Sequence, residues 1–258
     1  MDEKKDSLMK RFLGILLLIL VPLPLWSQGV DVPPRFVIDT PTAGLLPRAG
    51  MDVNLRAYGR GGLLLNINAG ITERFMFGVS YGGLNVLGSG AVDWNQNPGI
   101  NLRYQFLEES FGVPGLTAGF DSQGYGAYID STKRYENKSP GFFAVVSKTY
   151  DLFHHLDLHL GINYSLESAD NDQDPNFFAS GSLAINSKFE LLAEYDVALN
   201  DNIDDSINSG KGYFNLGFRL NVEDTVYLEF FVKDVLENRR QIVNANREVK
   251  ITYFQFIQ

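Results

Sequence analysis

The fold this sequence predicts is all-β: an antiparallel up-and-down transmembrane β-barrel of about twelve strands behind an N-terminal signal peptide. Three observations predict it. Apolar and polar residues alternate with period two over most of the chain. Short and long connections alternate between those segments. One dense apolar run stands near the start, and nothing like it follows.

The apolar run is Phe12 to Trp26 (FLGILLLILVPLPLW). A spanning helix needs roughly 20 apolar residues, and this run is shorter and carries Pro22 and Pro24. Lys10 and Arg11 precede it and Ser27 follows it. A basic start, an apolar middle and a small residue at the cut describe a secretory signal. The expected organisation is a signal peptide over 1–27, a periplasmic leader over 28–50, and an outer-membrane barrel over 51–258. The leader carries VDVPPRF and TPTAGLLPRAG, alternates poorly, and is expected to stay periplasmic or tuck into the barrel mouth. Met9 is an alternative start, since the preceding residues include Asp2, Glu3 and Asp6.

The strand segments show one greasy and one polar side. From Leu156 to Leu166, the residues Leu156, Leu158, Leu160, Ile162, Tyr164 and Leu166 share one face. Asp157, His159, Gly161, Asn163 and Ser165 share the other. The same split recurs at Leu63–Ile71, Phe75–Tyr81, Ile100–Phe106, Phe189–Val197, Phe214–Leu220 and Val226–Val232. Strands are predicted near 51–58, 62–71, 74–84, 98–107, 115–129, 140–150, 155–166, 176–186, 189–199, 211–222, 225–235 and 247–256. Most approach the 9–11 residues of a tilted membrane strand. The segment 115–129 is long and glycine-rich, and is expected to bend or split. In the last strand Val249, Ile251 and Tyr253 alternate well, but the pattern slips at Phe254-Gln255-Phe256. A bulge near Gln255 would return Phe256 to the lipid side.

The connections at 72–73, 108–114, 151–154, 187–188 and 223–224 are short. Those at 85–97, 130–139, 167–175, 200–210 and 236–246 are longer and polar. Only Gly59–Gly62 breaks the series. Short periplasmic turns and long outer loops produce this alternation, which a soluble sandwich has no reason to show. The 12 Tyr and 19 Phe suit interfacial girdles.

Several runs carry a family likeness: Pro41–Gly50 (PTAGLLPRAG), Phe120–Tyr128 (FDSQGYGAY), Gly141–Lys148 (GFFAVVSK), Leu192–Asp196 (LAEYD) and Tyr213–Phe218 (YFNLGF). With them most of the mature chain resembles the YjbH-type outer-membrane barrel proteins. The resemblance implies an outer-membrane location and an association with exopolysaccharide production or export. It brings no catalytic residues.

Function classes narrow further by composition. The chain has no cysteine, which excludes disulfides, thiolate metal sites and a lipid-modified N-terminal cysteine. Beyond residue 27 there are 28 acids and 18 bases, a balance that argues against nucleic-acid binding. The expected partners are outer-membrane lipid and lipopolysaccharide, the barrel-assembly machinery and, through the resemblance, polysaccharide. No cofactor is expected.

The candidate site is the lumen. By parity its wall carries Arg56, Arg74, Arg103, Lys148, Arg219, Lys233 and Lys250, with Asp121, Asp157, Glu190, Glu194, Asp196 and Glu229. Such charges could line a narrow selective channel, or pair across it and fill it as a plug. His155, Asp157 and His159 share a strand face, but the two histidines lie roughly 13 Å apart along an extended strand, too far to chelate one ion. No metal is expected. Asp170–Asp174 resembles the start of a calcium loop but has Pro175 where glycine is needed, and is expected to be a solvated acidic loop. Outer-membrane acyl hydrolases place His and Ser two apart. No His-x-Ser occurs here, so a non-enzymatic role is expected, either a narrow channel or export accessory, or a plugged adhesive barrel.

Overall fold

The alternating segments pair edge to edge until the sheet meets itself. A computed structural model describes residues 32–203, 207–222, 225–240 and 246–256. The expected signal peptide lies outside the described residues. The strands are β1 (Gly50–Tyr58), β2 (Gly62–Thr72), β3 (Phe75–Leu84), β4 (Asp93–Trp94), β5 (Gly99–Leu107), β6 (Gly115–Asp121), β7 (Tyr125–Ile129), β8 (Arg134–Asn137), β9 (Gly141–Tyr150), β10 (His155–Tyr164), β11 (Asn176–Asn186), β12 (Phe189–Asp196), β13 (Tyr213–Val222), β14 (Val226–Lys233) and β15 (Asn246–Phe256). Each barrel strand pairs antiparallel with its sequence neighbour in the wall, and β1 pairs with β15 to close it. Among the described residues twelve strands make the wall. The short β4 caps the end of β3, and β7 and β8 form a separate hairpin. Closure leaves no bare sheet edge in lipid, where an unpaired backbone group costs several kcal/mol.

Segment 115–129 does split. Pairing of β6 with β9 runs from Gly115 to Asp121, and β7 then leaves the wall. The tight connections fall at one end of the barrel and the long ones at the other. The exception at 59–61 is a tight hairpin turn, with the Gly62 N–H donating to the Gly59 carbonyl at 3.2 Å. Arg60 and Gly61 at its centre have φ of 60° and 65°. Two consecutive left-handed residues match the twist of the flanking strands. A Cβ on Gly61 would also fall 2.3 Å from the Leu87 carbonyl oxygen.

The outer face is apolar and open. Along β10, Leu158, Leu160 and Ile162 are 46%, 65% and 41% exposed, while His159 and Gly161 between them are buried. Exposed aliphatics in such a row suit hydrocarbon as solvent. Leu160→Arg, at mid-strand, should therefore cost about 2–4 kcal/mol. Leu160→Phe should cost far less. Denaturant titration in lipid checks this, and equal costs would refute the outward assignment.

The last strand departs from expectation. Its register against β1 runs unbroken from Gly50↔Phe256 to Ala57↔Val249, with no bulge at Gln255. Phe254 faces inward and is buried with Val32, Leu45, Leu46 and Met76, and Phe256 packs against the same cluster. The inner face is apolar here because another part of the chain fills the lumen at this height.

Candidate functional site: the filled lumen

That part is the segment 32–49. Sequence patterning puts it in the periplasm or at the barrel mouth. In the structure it runs through the lumen as a hairpin. It enters at the short-turn end, where the Ala49 N–H donates to the Gly70 carbonyl at 3.0 Å. A Cβ on Gly70 would lie 2.0 Å from the Pro47 oxygen, so only glycine lets the segment seat there. The hairpin turns at 37–40, with Val37 N donating to Thr40 O at 3.1 Å and an antiparallel bridge between Phe36 and Pro41. It then returns to Val32, beside Leu45 and Leu46.

Main-chain groups of the plug are satisfied by the wall, as buried peptide groups must be. One oxygen of Glu194 accepts the N–H groups of Ile38, Asp39 and Thr40 at 3.1, 2.9 and 2.9 Å, and the Thr40 hydroxyl at 2.9 Å. Its other oxygen accepts from Asn215 at 2.7 Å. The Ala43 N–H donates to Ser147 Oγ at 2.8 Å. On the other side the plug's carbonyls accept from wall cations. Arg103 donates to Arg35 O and Thr42 O at 2.7 and 3.2 Å. Arg56 donates to Ile38 O at 3.2 Å and Arg219 to Phe36 O at 3.4 Å.

Ion pairs complete the filling. Asp39 on the plug meets Arg56 at 2.7 Å and Lys233 at 2.5 Å. Arg35 on the plug pairs with Asp52. Around the wall Arg56 also holds Glu248 at 2.5 Å, Arg219 holds Glu190 and Glu229 at 2.6 and 2.9 Å, and Lys250 holds Glu229 at 2.8 Å. Asp121 is buried against Asn101 at 2.6 Å, and Asp196 accepts from Asn176 at 2.6 Å. Asp157 accepts from Ser182 at 3.3 Å. The residual cavity beside Arg35, Arg219 and Lys250 is about 40 Å³, room for only a few waters.

Two residues of the predicted wall lie elsewhere. Arg74 sits in the exposed turn between β2 and β3, one position before the strand begins. Lys148 points away from the lumen, because Phe143, Val145 and Ser147 hold the inner face of β9. It reaches Glu109 and the Ser110 carbonyl at 3.1 and 2.7 Å, on the connection between β5 and β6. Conversely, Asp52 and Glu248 are buried in the lumen yet fall outside the predicted set. They share strand parity with Arg56 and Lys250, and that signal could have found them.

At the long-loop end the β7–β8 hairpin folds over the bore as a lid. Tyr125 of β7 lays its ring against Arg56 and Lys233 at 4.4 and 5.0 Å. Arg134 of β8 is buried between Asp201 and Asp170 at 2.6 and 2.8 Å, and Lys138 also meets Asp170 at 2.8 Å. Burial opposes ionisation of Asp170, but the Lys138 ammonium, then the Asp172 N–H and Arg134, outweigh it and hold the carboxyl below its ordinary range. Asp172 is buried and accepts the Asn202 N–H at 2.9 Å. The acidic run 170–174 is therefore partly a structural latch, not only a solvated loop. Asn137 reaches down to Asp39 at 3.3 Å, so lid and plug touch.

Two smaller constellations are legible only in three dimensions. His155, Asp157 and Glu190 place ligand atoms within 4.8 Å of one another, but the Glu190 carboxylate is already engaged by Arg219. Ser147 Oγ lies 2.7 Å from His159 Nδ1, facing the plug rather than lipid.

No family model matches the chain, and no curated protein does. Solved structures do resemble it. A KdgM porin matches with a TM-score of 0.51 at 9% identity, over 81% of this chain and 99% of that one. The likeness is one of fold. The KdgM porin in complex with disordered oligogalacturonate matches over the same shares at 0.50 and 9%. A NanC porin matches at 0.45 and 11%, over 81% of this chain and all of that one.

Proposed function

We propose that this chain is a non-enzymatic outer-membrane channel of narrow bore, closed in its resting state by its own segment 32–49. The chemistry of the plug–wall boundary carries the reading. Hydrogen bonds and ion pairs make much of it, alongside three apolar clusters around Leu45 and Leu46, around Val37 and Ile38, and around Ala43. Buried ion pairs seldom stabilise more than apolar packing of equal volume. A barrel filled for good would gain nothing from such a wall, whereas a wall uncovered at intervals stays wettable. By the loop-length rule the short-turn end, where the plug enters, faces the periplasm. Lipopolysaccharide and the barrel-assembly machinery are then its natural partners. The YjbH-type resemblance adds a finer version, an accessory to surface polysaccharide export.

A second reading is a structural or adhesive barrel that remains plugged. The ion-paired lid favours it, because Arg134, Lys138, Asp170 and Asp201 fix the outer loops as one surface. Planar-bilayer conductance separates the two. Replacing 32–49 by a glycine-serine linker of equal length should raise single-channel conductance several-fold. Shortening the β7–β8 hairpin as well should raise it further. If both variants remain heat-modifiable barrels and conduct no more than the intact chain, the channel reading fails.

A further inference from the structure

Inward-facing charges are not mixed evenly around the wall. Five adjacent strands, β6, β9, β10, β11 and β12, present Asp121, Asp157, Glu190, Glu194 and Asp196 to the lumen and no lysine or arginine. All five inward lysines and arginines of the described wall stand on the opposite arc, on β1, β5, β13, β14 and β15, with three acids among them. The lumen therefore carries a field across its bore, and eight acids against five bases leave it net acidic.

The plug is oriented by that field. Its N–H groups at 38, 39 and 40 point to Glu194 on the acidic arc. Its carbonyls at 35, 36, 38 and 42 accept from Arg103, Arg219 and Arg56 on the basic arc. Over residues 35–42 the bore thus reads a peptide backbone by its dipoles, donors to one side and acceptors to the other, while the Ala43 carbonyl accepts from Thr117 of β6 at 2.8 Å. When the plug withdraws, Glu194 loses four donors and keeps Asn215. Arg103 loses its two carbonyl partners. The six connections at the long-loop end add to the acidic bias, with twelve acids and seven bases between them.

We infer that the open lumen takes short zwitterionic peptides in preference to anionic sugars. The ammonium end of such a solute faces the acidic arc, its carboxylate faces the arginines, and its peptide groups replace those of residues 35–42. An anionic sugar has carboxylates for the basic arc but only neutral hydroxyl donors, and no cation, for the acidic one, and must also pass a net acidic wall. The inference rests on the channel reading above.

The test uses the linker-replaced barrel in liposomes, with heat modifiability as the fold control. Triglycine and galacturonate are compared as permeants, alongside potassium chloride conductance. Triglycine should enter several-fold faster than galacturonate. The triple variant Asp157→Asn, Glu194→Gln, Asp196→Asn, made in the same barrel, should abolish that preference while still conducting salt. Salt conductance with equal or reversed permeation overturns the inference and leaves the channel reading standing. A folded barrel that passes neither salt nor solute overturns both.

Discussion

Deleting Val249–Gln258 should abolish membrane insertion of the barrel. These residues include most of β15, which pairs with β14 on one side and β1 on the other. Without them both neighbours present a row of unpaired N–H and C=O groups to hydrocarbon, at several kcal/mol each. The deletion also removes Lys250 from Glu229 and Phe254 from the seal around Leu45 and Leu46. No local repacking can offset losses of that size, so the effect should be all or none. The linker replacement of 32–49 leaves every wall strand paired and should still insert. Membrane fractionation with heat modifiability on a gel reads both. A protease-resistant barrel from the C-terminal deletion would refute the closure.

Glu194→Lys should expel the plug tip while sparing the wall. The carboxylate gathers three consecutive N–H groups and a hydroxyl, and a lysine there sets a cation against all of them. A buried donor left without an acceptor costs about 1–3 kcal/mol, so three should outweigh the remaining contacts of the turn at 37–40. Strand β12 keeps its main-chain ladder to β11 and β13. The expected result is a heat-modifiable barrel whose segment 32–49 becomes protease-sensitive. Glu194→Gln keeps an acceptor oxygen and should be milder. Equal protection of the segment in the Lys variant and the native chain would contradict the anchoring role.

Much of this architecture is legible in the sequence where one strand face meets lipid and the other meets charge. Leu156–Leu166 alternates so cleanly because both solvents are uniform along it. Legibility fails where the plug alters the inner solvent. On β9, Phe142, Phe143, Val145 and Val146 are apolar on both faces, since Ala43 of the plug packs against Phe143 and Val145. Parity is then unmarked, and Lys148 falls to the wrong side. Phe254 looks like a slipped register for the same reason. Arg74 is misplaced by a strand boundary of one residue. The plug itself could not be foreseen from patterning. Its docking uses main-chain groups of residues 35–43 against side chains as distant in sequence as Glu194 and Arg219, and main-chain groups leave no mark in a sequence.

Residues 32–49 occupy the lumen of the inserted barrel, and a cross-link reads that placement directly. A Cβ placed on Gly115, at the start of β6, would lie 3.5 Å from the Ala43 Cβ, inside the range a disulfide spans. The chain has no cysteine of its own, so an Ala43→Cys, Gly115→Cys pair has no competing partner. This pair should cross-link on oxidation in the membrane-inserted barrel, and the cross-linked form should be no more conductive than the native chain. A heat-modifiable barrel in which the pair stays reduced, and the thiol introduced at position 43 reacts freely with a bulky water-soluble maleimide, would contradict that placement.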